Sequence, residues 1–310
     1  MQTANKIVPC IWFNGEAESA TAFYTRIFPN GRVLATSHYP KKGENPGGRP
    51  TGSVLTIEFE IHGVRFTALN GGPEFKPNPS LSFFVHADDE AHVDRTFNAL
   101  AEGGKVLMEL GTYPWSPRYG WVQDKYGVTW QVMKSDVKEE EAKIAPSIMF
   151  TGDQAGKAEE AIKLWTSILP GGKIDHISHY EPQSGETGVM HGRFFVMGTR
   201  LTAMDSHAPH GFQFDEGLSL QIMCKDQAEL DKIWSAILSN GGTEVACGWI
   251  KDKYGFNWQV SPESMVKLIT TGDEAAKERA FNAMLKMKKL DIATLEAAAR
   301  GADKSASAHA

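Results

Sequence analysis
The stretch Gly120-Trp121-Val122-Gln123-Asp124-Lys125-Tyr126-Gly127-Val128-Thr129-Trp130-Gln131-Val132 returns as Gly248-Trp249-Ile250-Lys251-Asp252-Lys253-Tyr254-Gly255-Phe256-Asn257-Trp258-Gln259-Val260, with nine of thirteen positions identical. A period of more than a hundred residues is too long for one turn of a solenoid. It marks two copies of a whole folding unit, so any fold for this chain must be buildable twice. The length of 310 residues agrees with two domains.

Copy one begins with an apolar strand over residues 7–13, and Asn14-Gly15-Glu16 supplies a turn and a helix N-cap. Ala20, Phe23, Tyr24 and Ile27 form one helical stripe, which Pro29-Asn30-Gly31 ends. A strand over 32–39 and a Pro/Gly-rich loop over 40–50 follow. Residues 56–61 alternate polar and apolar, and His62-Gly63 turns them into a hairpin with 64–70. The order β-α-β-β-β then repeats. There is a strand over 81–85, then a helix capped by Asp88 or Asp89 with the stripe Val93, Thr96, Phe97 and Leu100. Gly103-Gly104 stops it, and three strands follow, the last turn being Asp124-Lys125-Tyr126-Gly127. Copy two restates this nearly step for step. Its helical stripes are Ala161, Leu164, Trp165, Ile168 and Leu230, Ile233, Trp234, Ile237. Each helix needs a sheet to cover, and each three-strand run gives it one.

The boundaries read as 1–136 and 142–265 for the two copies, 266–301 for a helical tail and 302–310 for a disordered end. Residues 134–143 are a charged linker. In the tail, Phe281, Met284, Leu285 and Lys288 share a helical face that should dock on a domain, and Asp291 caps a last helix ending near Gly301. Copy one carries an insertion over 105–119, with Tyr113, Trp115 and Tyr119. It reads as an arm that packs across the domain boundary or lids a pocket.

A net charge of −6 disfavours nucleic acid or an anionic membrane as partner. No apolar run is long enough to span a bilayer, and residues 1–6 lack the apolar core of a signal peptide. Three cysteines, Cys10, Cys224 and Cys247, have no Cys-x-x-Cys pair, which argues against a disulfide framework and for a cytoplasmic location. No Gly-x-Ser-x-Gly elbow or phosphate loop is present.

The βαβββ modules, the Phe23-Tyr24 pair and the Asp-x-x-Gly-x-x-Trp-Gln hairpin resemble the vicinal oxygen chelate superfamily. Within it, Phe66-Thr67-Ala68-Leu69-Asn70-Gly71-Gly72-Pro73, Gly248 to Gly255 and the tail Lys286 to Ala293 are similar to the PhnB-like branch, often labelled 3-demethylubiquinone-9 3-methyltransferase. No Gly-rich loop suited to S-adenosylmethionine follows a strand, so the methyltransferase label is discounted. The resemblance implies an α+β fold of tandem domains, each of two βαβββ modules curled around a cavity, plus the helical tail. In relatives that are enzymes it also implies a divalent metal held by His, Gln and Glu on first and last strands.

The positions matching that motif are Gln131 and Gln259 on the last strands, Ser82 and Ser219 on the second modules' first strands, and Pro9 and Pro146 on the first modules'. Such a set holds an ion poorly, so the expectation is no metal and no cofactor. The ligand-binding candidates are Trp12, His38, Ser82 and Gln131, and in copy two His179, Ser219 and Gln259. His38 and His179 are open to a second reading as structural residues, and His207-x-x-His210 beside Asp205 reads as a solvated loop. The leading functional expectation is a protein that binds a small apolar or aromatic molecule in a metal-free cavity. The alternatives are a lyase, isomerase or dioxygenase with a rearranged metal site, and a dimerisation scaffold. The chain would be a monomer with an internal pseudo-dimer, or a homodimer.

Overall fold
A computed structural model describes residues 6–41, 45, 47–135 and 142–301; the disordered end expected over 302–310 lies outside the described residues. Four βαβββ modules are present. Module one holds β1 (Ile7–Phe13), α1 (Ala17–Ile27), β2 (Arg32–His38), β3 (Val54–Ile61) and β4 (Val64–Asn70). Module two holds β5 (Leu81–Ala87), α2 (Glu90–Ala101), β6 (Lys105–Tyr113), β7 (Ser116–Gln123) and β8 (Thr129–Lys134). Module three holds β9 (Ile144–Phe150), α3 (Ala158–Ile168), β10 (Lys173–His179), β11 (Val189–Val196) and β12 (Thr199–Asp205). Module four holds β13 (Leu218–Cys224), α4 (Gln227–Ser239), β14 (Thr243–Glu244), β15 (Trp249–Lys251) and β16 (Asn257–Pro262). The tail is α5 (Ser264–Thr270), α6 (Glu274–Met284) and α7 (Ile292–Arg300).

The four modules form two eight-stranded sheets, ordered β14-β15-β16-β13-β1-β4-β3-β2 and β10-β11-β12-β9-β5-β8-β7-β6. The modules that share a sheet come from different copies: one with four in the first sheet, two with three in the second. The seams are antiparallel, with Cys10 opposite Ser219 and Ser82 opposite Ser147. The burial of the seam strands explains the exchange. β9 is buried along its whole length, and β1 and β5 along all but one residue. Such apolar strands cannot stand as open edges, and each covers another's.

Between the sheets lies one continuous core, built within each copy by helices packed on the convex faces. The repeated Asp-Lys-Tyr-Gly turn pins it. Asp124 accepts hydrogen bonds from Tyr24 Oη on α1 (2.8 Å) and Trp130 Nε1 (2.8 Å). It also accepts from the backbone N–H of Tyr126 and Val128. Asp252 does the same for Trp165 Nε1 on α3 (2.8 Å), Trp258 Nε1 (3.1 Å) and the N–H of Tyr254 and Phe256. Each carboxylate ties the first helix of its copy to the last hairpin of that copy, which belongs to the other sheet.

Local signals hold with one correction. Asp89 and Asp226 cap α2 and α4. Glu16 makes no side-chain cap on α1; instead Asn70 Oδ1, at the end of β4, accepts from Ala17 N at 3.0 Å. Asp205 takes the matching role for Ala158 N in copy two. The β3–β4 hairpin turns on His62 and Gly63, both at positive φ, as Met197 and Gly198 do between β11 and β12.

The insertion in copy one is not an arm across a boundary. It lengthens the β6–β7 hairpin at the edge of the second sheet, where Tyr113 stacks on Trp115 at 5.1 Å. Copy two has short strands there because the tail fills that space. Cys247 N and Gly248 N donate to the carbonyls of Met287 and Lys288, both at 2.7 Å. Asp291 caps α7, and Gly301 ends it in the left-handed region.

Candidate functional site
The concave face of the first sheet and the tail enclose a cavity of about 510 Å³. Its walls are aromatic. Trp12 on β1 lies edge-on to Phe75 at 5.2 Å and to Trp249 on β15 at 6.2 Å. The Trp12 indole N–H donates to the Gly72 carbonyl at 2.8 Å, and its ring lies where a Cβ on Gly71 would stand. Glycine there lets the indole lie flat on the backbone. Met265 and Ile269 of α5, Phe281 and Met284 of α6, and Leu290 close the other side. The tail docks as expected, and in doing so becomes a wall of the cavity.

The floor is polar and crosses the seam between copies. Gln259 Nε2 on β16 donates to Ser219 Oγ on β13 at 2.8 Å, and Gln221 Nε2 donates to Gln259 Oε1 at 3.0 Å. Thr67 Oγ1 on β4 is 2.7 Å from Gln221 Oε1 and also 2.7 Å from Glu58 Oε1 on β3. A hydroxyl has one proton to give. With the amides in this orientation Thr67 donates to Gln221; with both amides turned over it donates to Glu58. Burial pushes the Glu58 carboxyl pKa up, against the opposing pull of Thr67 and of Arg65, whose guanidinium stands 3.3 Å away. Cys10 lies under this row, and burial pushes its thiol up to about 12.

These residues do not fit a divalent ion. Apart from Glu58, which already contacts Arg65, and the buried Cys10, the floor offers neutral amides and hydroxyls, which offset an ion's dehydration poorly. Among the described residues no three His, Cys, Asp or Glu side chains converge.

The structure regroups the candidate residues. Trp12 and Gln259 line the cavity although they come from different copies, and Ser219 lies buried behind it, holding Gln259. Ser82 and Gln131 lie on the second sheet, where Gln131 Nε2 donates to Ser82 Oγ at 2.9 Å and Tyr119 Oη donates to Gln131 Oε1 at 2.7 Å. That face differs from the first: strand register puts Phe84 where the first sheet has Gln221, and Arg193 where it has Glu58. His38 and His179 line neither face. Ser37 bonds Thr56, which lines the cavity, while His38, past an irregularity in the β2–β3 pairing, is exposed in a shallow crevice with Glu274, Lys277 and Glu278 of α6. His179 pairs with Glu159 of α3 at 2.7 Å on the surface. His207 bonds Thr187 of the β10–β11 loop, His210 bonds Ser206 of its own loop, and the two do not converge on Asp205. Glu58, Thr67 and Gln221 escaped the sequence reading because polar residues of an alternating strand look alike whether they face solvent or a hollow.

A family model described as 3-demethylubiquinone-9 3-methyltransferase matches the chain twice, over residues 5–133 and 142–261. Among solved structures, a Bacillus cereus PhnB protein of the same description is 36% identical. The match covers 42% of this chain and 99% of that one, with a TM-score of 0.38. A protein from Pseudomonas aeruginosa is 26% identical, covering 41% of this chain and 94% of that chain, with a TM-score of 0.36. Glyoxalase I from Zea mays is 15% identical, covering 82% of this chain and 90% of that chain, with a TM-score of 0.54, a likeness of fold alone. No curated protein matches. Among the described residues no helix is long and apolar enough to cross a membrane.

Proposed function
Because the chain belongs to the family described as 3-demethylubiquinone-9 3-methyltransferase, the PhnB-like branch of the vicinal oxygen chelate superfamily, and its hollow carries no fitting metal set, we propose that it binds a small apolar or aromatic molecule in the first-sheet cavity. The observation that carries this reading is the cavity itself, with aromatic walls over a floor of linked amides and hydroxyls. Concave, mostly apolar sites with a few convergent polar groups are what small-molecule pockets look like. Apolar burial supplies affinity, and the spare N–H and C=O positions of Gln221 and Gln259 orient the ligand.

Thermal-shift screening with apolar aromatic molecules tests the reading. A ligand that binds only the folded chain at a hundredfold excess over its Kd adds about 2.7 kcal/mol of stability and must raise Tm. Trp12→Ala and Gln259→Ala should shrink that rise. A panel without a single stabilising compound would count decisively against it.

A further inference from the structure
The charges around the cavity narrow the ligand class, an inference that rests on the reading of this hollow as a ligand site. Among the described lining residues every formal charge is a carboxylate: Glu58, Glu74 and Glu216. Trp12, Phe75 and Trp249 stand edge-to-face around one end, and the negative faces of such rings attract cations. The second sheet serves as an internal control, with Arg193 at the register of Glu58 and Met149 at that of Trp12.

We propose that the first-sheet cavity takes an apolar organic cation, an aromatic amine or quaternary ammonium, whose charge is exchanged for the proton that Glu58 shares with Thr67. The hydrogen-bond row makes the exchange possible. In the empty cavity donation runs from Glu58 through Thr67, Gln221 and Gln259 to Ser219. When the acid proton leaves to solvent, both amides turn over and the row reverses. Ser219 then donates to Gln259, Gln259 to Gln221, Gln221 to Thr67, and Thr67 to the Glu58 carboxylate. No partner is orphaned in either direction. The groups facing Glu58 are Arg65 and Thr67 from β4, Cys10 from β1 and Gln221 across the seam; its register neighbour on β2 is the uncharged Ala35. Arg65 is partly exposed and contacts only the far oxygen. Glu216 is paired with Lys251 at 2.7 Å.

The test is titration calorimetry on the full chain with three matched probes: naphthylmethyl-trimethylammonium, its neutral carbon isostere neopentylnaphthalene, and naphthylacetate. The cation should bind roughly tenfold more tightly than the neutral isostere and more tightly still than the anion. Its binding heat should vary between buffers of different ionisation heat, reporting proton release. Glu58→Gln should abolish that release and remove the cation's advantage over the isostere. If the variant does not fold, the buffer dependence of the native chain decides. A neutral isostere that binds as well as the cation, a preferred anion, or cation binding without proton release overturns this proposal and leaves the apolar cavity standing. If none of the three binds, both readings fail.

Discussion

Replacing Asp252 by Asn keeps its size and removes its charge, and the geometry sets the cost. One carboxylate oxygen accepts from the indoles of Trp165 and Trp258, the other from the N–H groups of Tyr254 and Phe256. All four partners can only donate. An amide of either orientation turns its NH₂ toward two of them and leaves two buried donors unmatched, each costing about 1–3 kcal/mol. Asp252→Asn should therefore destabilise by roughly 2–6 kcal/mol. Asp124 is the control. One of its four partners is the Tyr24 hydroxyl, which can rotate and accept from the amide, so only the Trp130 indole is orphaned and Asp124→Asn should cost roughly 1–3 kcal/mol. Urea denaturation followed by tryptophan fluorescence measures both midpoints. Equal midpoints for the two variants, or an Asp252→Asn midpoint at the native value, would refute the donor count. The same hydroxyl lets Asp124 hold a proton, and burial pushes its carboxyl up to about 6. Its contribution to stability is full below the unfolded value of 3.8 and is lost as pH rises through about 6. Asp124→Asn should flatten that part of the profile.

Other expectations are local. A Cβ on Gly71 would stand 2.3 Å from the Trp12 ring, so Gly71→Ala should tilt the indole and weaken ligand binding about tenfold or more, read by titration. Leu290 is fully buried where the tail meets Gly248. Leu290→Ala should cost about 2–5 kcal/mol and open the cavity to a fluorescent apolar dye. Burial, and then the positive charge of Arg200, lower the His86 pKa to about 3. The unfolded chain then takes up the proton first, and stability falls as pH drops from about 6.5 toward 3; His86→Phe should reduce that slope in acid denaturation. Both seams are satisfied within one chain, so we expect a monomer by light scattering.

The duplication, the four helices and the hairpin turns were legible because each has a local signature: the stripe Ala20, Phe23, Tyr24 and Ile27 lies against the core, and His62-Gly63 turns as expected. The pairing of modules was not. Residues 7–13, 81–87, 144–150 and 218–224 are all near-continuous apolar strands, and nothing in their order says which takes which as neighbour. The cavity suffered from the same blindness. Ser219 and Gln259 carried a family pattern, Trp12 was an aromatic on an apolar strand, and each could be picked out one by one. Their meeting depended on the seam, and the tail's share in the wall depended on a docking that an amphipathic face alone does not locate.

Joining the two copies in one polypeptide frees their two sheets from each other. A symmetric pair of separate subunits would meet every substitution twice, once in each site. Here a change at Glu58 falls on the first sheet alone, and a change at its register counterpart Arg193 falls on the second. The two faces have already parted in chemistry while sharing a core, so selection can hold one to its ligand while the other wanders.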